Sequence, residues 1–233
     1  MRIVGISRAI LYFADHNDFS EAALSANEDT VALAPPFREA TAQADAMLAK
    51  ERAVHREVIR AQALLSVKDV TLDCDTTTFG AAALIQANLD RASTDFRRYF
   101  PAAPSLLIRW PLRKQCEHTL NTMVPALAKV ADTSPLKPFG PLLQKRAEQA
   151  VAALEARGKA KAAQAVVAIE IEEWKEGINR LRLGTYAELL SIAAEKGYPR
   201  TWANAFFMSD TSSDDTSTDD AEPLATPPTT LTK

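Results

Sequence analysis

Residues 37–68 read FREATAQADAMLAKERAVHREVIRAQALLSVK, thirty-two positions without a glycine or a proline. Phe37, Ala44, Val58 and Leu65 stand on a seven-residue spacing, with Ala40, Met47, Val54 and Ala61 between them. That pattern places one apolar seam along a helix over four heptads, interrupted where Glu51 takes a seam position. A helix of this length reaches about 45 Å at 1.5 Å per residue. A rod so long must lie against partners of similar length, and the rest of the chain offers one. In 160–195, Ile171, Trp174, Ile178, Leu181, Thr185, Glu188 and Ile192 alternate three- and four-residue steps, and Leu189 widens the face. The two segments predict the spine of an all-α, elongated, antiparallel bundle of six or seven helices with coiled-coil-like packing.

Composition agrees. The chain has 233 residues, 47 % of them apolar, and only seven glycines. A sheet-rich fold leans on glycine for its tight turns. Alanine, leucine, glutamate, lysine and arginine dominate the centre, and these lose little side-chain freedom in a helix.

The shorter elements follow from their punctuation. Residues 1–14 are open between an extended arm or strand at Arg2–Ile6 and a short helix with Ile6, Ile10, Leu11 and Phe13 on one face. Asp15 to Asn17 offer cap oxygens for a helix near 18–33, which Pro35-Pro36 would end. The run Thr71-Leu-Asp-Cys-Asp-Thr-Thr-Thr78 predicts a break, because aspartate and threonine side chains compete for local backbone groups. A helix at 78–99 is expected after it, with Phe79, Ala83, Gln86, Leu89, Ser93, Phe96 and Phe100 on one stripe, stopped by Pro101 and Pro104. Residues 106–130 read as a helix with Pro111 in its first turn and a kink at Pro125. A rigid loop at 134–141 precedes a helix at 142–157, and Gly158 marks a turn or a weak point in a continuous helix. Gly197 stands where a C-terminal cap belongs, Pro199 opens the next turn, and 200–207 closes the chain with Trp202, Phe206 and Phe207 as an apolar plug. Residues 1–208 are thus expected to form one helical domain.

Residues 209–233 differ. They hold six acids and one base, a charge of −5, which leaves 1–208 at +2 out of the net −3. With almost no large apolar side chain, this acidic Ser/Thr/Asp/Pro segment is expected to be a disordered tail. A nearly neutral body gives no general electrostatic grip on nucleic acid. No stretch reaches the ~20 apolar residues of a membrane span. Arg8 interrupts the apolar N-terminus, so no secretory signal is read there. Cys74 and Cys116 form neither a Cys-x-x-Cys pair nor a disulfide framework, and a cytoplasmic location with reduced thiols is the expectation.

Candidate chemistry is sparse. Glu51 and His55 share a helix face at four-residue spacing, a placement suited to an ion pair or, with further ligands, to a metal. Cys116 and His118 are two apart, about 200° around a helix, and cannot chelate together from it. Asp73, Asp75 and Asp90 suit helix capping; a calcium loop would need more oxygen ligands and a central glycine. Arg97, Arg98, Arg109, Arg113 and Lys114, interleaved with Tyr99, Phe100 and Trp110, could grip phosphate or stack on bases, or simply form a helical corner. Gly177 and Gly184 lie on nearly one helix face, each costing about 1 kcal/mol against alanine, so a close neighbour is expected there. Phosphate-binding glycine loops, nucleophile elbows and His-Glu-x-x-His pairs are missing from the sequence. No catalytic residue, metal or cofactor is assigned. The expected role is a non-catalytic scaffold or interaction module that uses its helical faces to bind another protein or a second copy. A small-molecule- or metal-binding bundle is the alternative, and weak nucleic-acid binding a third reading.

Overall fold

The computed structural model describes residues 3–209, and the acidic segment from Asp210 onward lies outside them. Among the described residues every regular element is helical. After an irregular arm at 3–9, with a turn at Gly5–Arg8, come α1 (Ile10–Ser25), a 3-10 turn (Val31–Leu33), α2 (Pro35–Gln86), α3 (Thr94–Arg97), α4 (Pro104–Leu107), α5 (Leu112–His118), a π turn (Thr119–Met123), α6 (Val124–Ala128), α7 (Phe139–Lys196) and a closing 3-10 helix (Arg200–Phe206).

Helices α2 and α7 are the spine, and both are longer than their sequence patterns predict. At 52 and 58 residues they measure about 78 and 87 Å at 1.5 Å per residue. They run antiparallel. Lys50 pairs with Glu170, His55 meets Gln164, Lys68 reaches Gln149, and Arg146 pairs with Asp75, so residue numbers rise on one helix as they fall on the other.

The expected break at Thr71–Thr78 does not occur. The hydroxyls of Thr71, Thr77 and Thr78 donate to the carbonyls of Val67, Asp73 and Cys74, four residues back, at 2.6, 2.8 and 2.9 Å. Satisfied inside the helix, they no longer compete with its backbone bonds. Leu72, Thr76 and Phe79 are fully buried, and tertiary packing overrides local propensity. Gly158 likewise passes unnoticed inside α7, which joins the two helices expected at 142–157 and 160–195. Pro35 and Pro36 begin α2 rather than end α1, a placement in which the missing amide costs nothing. Asp15 to Asn17 are not caps: they lie within α1, with His16 and Asn17 buried.

The helix expected at 78–99 stops at Gln86. Asn88 and Leu89 follow with φ of 52° and 65°, and Leu89 is 72 % exposed rather than part of a buried stripe. Ser93 caps α3 by accepting from the Phe96 amide at 3.3 Å. The segment 106–130 is broken up. Pro111 precedes α5 as its N-cap, and the π turn lies directly ahead of Pro125, which has no amide hydrogen to donate. Gly197, with φ of 76°, ends α7 as its pattern predicts.

Three apolar clusters hold the rod at different levels. At one end the connector α3–α6 folds back onto α2 and α7, burying Leu72, Phe79, Phe96, Tyr99, Phe100, Leu107, Met123, Leu127 and Leu143. Gly80 makes this fold-back possible, because a Cβ there would lie 2.5 Å from Pro104 Cγ. The second cluster sets Val4, Ile10 and Phe13 against Ala40, Ala44, Ile171, Trp174 and Ile178. The third, at the far end, joins Leu24, Phe37 and Leu189 to Ala203, Phe206 and Phe207. Between the first two clusters, roughly residues 55–71 of α2 run beside 152–166 of α7, and among these only Leu65 and Ala153 are buried.

Candidate functional site

This two-helix stalk carries an outward apolar row among the described residues. Val54, Val58, Ala61 and Leu65 face inward, toward α7, at three- and four-residue steps. Ile59, Ala63, Val67 and Val70 repeat the same steps, and at 100° per residue they fall on the opposite side of the helix. Ile59, Val67 and Val70 are 55, 61 and 60 % exposed, and Leu64 beside them is 47 % exposed. The exposed Cys74 continues the line four residues beyond Val70. Arg52, Arg56 and Arg60, all exposed, rim its N-terminal half. Scattered surface aliphatics are ordinary, but a row at helix-packing spacing is the form in which one helix presents itself to another. On α7, Val166 and Ile169 are also more than half exposed.

The residues singled out from sequence fall elsewhere or apart. Glu51 and His55 are both exposed. Glu51 borders a shallow groove with Val54, Lys161, Gln164 and Ile171. A ring nitrogen of His55 stands 3.5 Å from Gln164 Nε2, and no carboxylate joins it. Among the described residues no group of three His, Cys, Asp or Glu side chains is placed to hold a metal ion. Cys116 is buried in the connector, where loss of solvent pushes its thiol up to about 11. His118 makes a 2.8 Å hydrogen bond to the carbonyl of Tyr99.

The aspartates are structural. Asp73 accepts from Gln115 Nε2 at 2.8 Å, and burial raises its carboxyl above the usual carboxylate range. Asp75 holds Arg146 at 2.7 Å. Asp90 accepts from the Ala92 amide and closes a local turn.

The basic corner is divided. Arg97, Arg109 and Arg113 are exposed, and Arg98 pairs with Asp95 while its guanidinium lies over Tyr99. Tyr99 and Phe100 are buried against Phe79, and Lys114 already covers the ring of Trp110 at 4.3 Å. The aromatic faces that would stack on bases are therefore in use. Gly177 and Gly184 are on the outside of α7. A Cβ at Gly177 would meet only the Arg180 side chain, at 3.9 Å, and one at Gly184 nothing within 4 Å. No close neighbour within the described residues explains either.

Sequence reasoning missed a second set of polar residues. Lys175, Asn179 and Arg182 on α7, and His16, Asn17 and Ser20 on α1, are all buried. Arg182 alone among them carried a signal: it lies on the inward seam of α7 between Ile178 and Leu189, a polar position where an apolar one is due. No protein-family model, curated protein or solved structure matches the chain.

Proposed function

We propose that the protein is a non-catalytic helical scaffold whose stalk binds a helix, supplied by another protein or by a second copy, along the outer face of α2. The observation that carries this reading is the row Ile59, Ala63, Val67 and Val70, turned away from α7 at the spacing of a packed seam. Burying three half-exposed aliphatic side chains is worth roughly 1 kcal/mol or more apiece at ~25 cal/mol per Å². Arg52 and Arg56 beside the row favour a partner helix flanked by acids, Arg60 being paired with Glu57. A metal- or ligand-binding role has less support, because Glu51 and His55 are exposed and lack companions.

Light scattering and native mass spectrometry test the proposal on wild type and on a triple variant, Ile59→Lys, Val67→Lys and Val70→Lys. The wild-type chain is expected to self-associate or to bring a defined partner from its own cells. The variant should lose that association at unchanged helix content, since the substituted side chains are more than half exposed and none belongs to a buried cluster. A wild-type chain that stays monomeric and brings no partner rejects the reading, and so does an association that survives all three lysines.

A further inference from the structure

The arm at 3–9 is held by side chains of α7, and at Val4 in the way a sheet edge holds a strand. Asn179 accepts from the Val4 amide through Oδ1 at 3.0 Å and returns a hydrogen bond from Nδ2 to the Val4 carbonyl at 2.9 Å. Its carboxamide thus stands in for the peptide group of a neighbouring strand. One turn earlier on α7, Lys175 Nζ donates to the carbonyls of Ile6 and Arg8 at 3.0 and 2.6 Å and lies 5.7 Å from the centre of the Phe13 ring. Val4, 2 % exposed, is the single side chain the arm inserts into the Phe13, Trp174 and Ile178 cluster. Residues 5–9 are all exposed, as is Ile3 at 58 %.

We propose that this seat on α7 also accepts the arm of a second copy of the chain, so that two molecules join by exchanging residues 3–8. Three observations lead there. The seat reads main-chain groups and one valine, all of which every copy carries, so an exchanged arm makes the same contacts as the resident one. An arm that leaves its seat gives up four hydrogen bonds, two to Asn179 and two to Lys175, and with them the burial of Val4. Exchange restores them in the dimer, and concentration then decides between closed and exchanged forms. The arm is also folded shorter than it need be. The Arg8 amide donates to the Gly5 carbonyl at 3.0 Å, closing a turn, and Ala9 enters α1 without a side-chain cap. With that turn opened, the chain from Val4 to Ile10 spans up to about 20 Å.

This exchange is separate from the stalk face, and the test isolates it. Every copy used carries the three stalk lysines, which remove that face from the experiment. Copy A adds Val4→Asp, so that its seat is intact and its arm cannot dock. Copy B adds Lys175→Ala and Asn179→Ala, so that its arm is intact and its seat is broken. With different affinity tags, A is expected to retain B, while A alone and B alone stay monomeric by light scattering. A folded pair that does not bind each other overturns the proposal. If Val4→Asp does not fold by circular dichroism, a copy A lacking residues 1–8, which has a seat and no arm, takes its place with the same two outcomes. Failure here leaves the stalk reading untouched, and failure of the stalk reading leaves A–B retention to be seen.

Discussion

Replacing a helical glycine with alanine ordinarily stabilises a protein, and in this chain the same substitution is predicted to act in opposite directions at two sites. Gly158 lies inside α7, about a third of the way along it, with nothing within 4 Å of where a Cβ would be. Gly158→Ala therefore gains the intrinsic helix preference alone, about 1 kcal/mol. Gly80 lies under the connector. Its added Cβ would stand 2.5 Å from Cγ and 3.0 Å from Cβ of Pro104, and 3.4 Å from Phe100 Cζ. Pro104 opens α4, and its ring is fixed to the backbone, so it has no rotamer by which to withdraw. Overpacking of this kind costs up to about 3 kcal/mol. Set against the same helix gain, Gly80→Ala loses about 2 kcal/mol. For a chain of this size each kcal/mol moves Tm by about 2–4 °C. Scanning calorimetry should thus show Gly158→Ala melting about 2–4 °C above wild type and Gly80→Ala about 4–8 °C below it. A Gly80→Ala protein as stable as Gly158→Ala would refute the close approach of α4 to α2, and with it the packing of the connector.

Other substitutions probe other levels of the rod. Ile178 is 4 % exposed in the cluster that seats the arm, and Ile178→Asp would bury a carboxylate without a partner, at a cost of about 3–5 kcal/mol; an unchanged melting temperature would remove Ile178 from the core. Cys74 is exposed, whereas the buried Cys116 thiol, pushed up to about 11, is almost wholly protonated at neutral pH. Iodoacetamide with mass spectrometry should modify Cys74 in the folded protein and Cys116 only on unfolding, and equal rates would contradict the burial. Burial raises the Asp73 carboxyl, so its ionised form is less favourable folded than unfolded. Asp73→Asn keeps an acceptor for Gln115 and should stabilise the protein at neutral pH. The gain should shrink as pH falls through the raised value of folded Asp73 and vanish below the ordinary carboxylate value, where wild-type Asp73 is neutral both folded and unfolded; a gain independent of pH would mean that charge is not its cause.

The spine was legible because its signal is periodic and long: thirty-two residues without a breaker leave few alternatives to a rod. Boundaries were less so. Thr71, Thr77 and Thr78 carry the residue types that usually leave a helix, and nothing local reveals that Leu72, Thr76 and Phe79 will be enclosed by a connector beginning after Gln86. The same non-local cause hid the arm's seat. Lys175 and Asn179 resemble ordinary surface residues until residues 4–8 are laid across them from the other end of the chain. The candidate pair Glu51 and His55 was correctly placed on one face, but spacing alone does not say whether that face meets protein or water. Residues 59–70 show the reverse: an outward apolar row becomes visible as outward only once the inward one has been assigned to α7.

The separation of the three apolar clusters along two shared helices has a consequence for how the molecule opens. A compact domain loses its contacts together, but here the first cluster is joined to the other two chiefly through α2 and α7, whereas α1 also ties the second to the third. The thinnest link is near residues 55–63 and 156–164, where the two backbones have little but each other. Amide hydrogens there should exchange with deuterium by a local fraying that leaves both ends of the rod folded, well ahead of the protected amides around Phe79 and Trp174. The stalk would then act as a joint as well as a spacer, bending at its middle while its two ends keep their shapes.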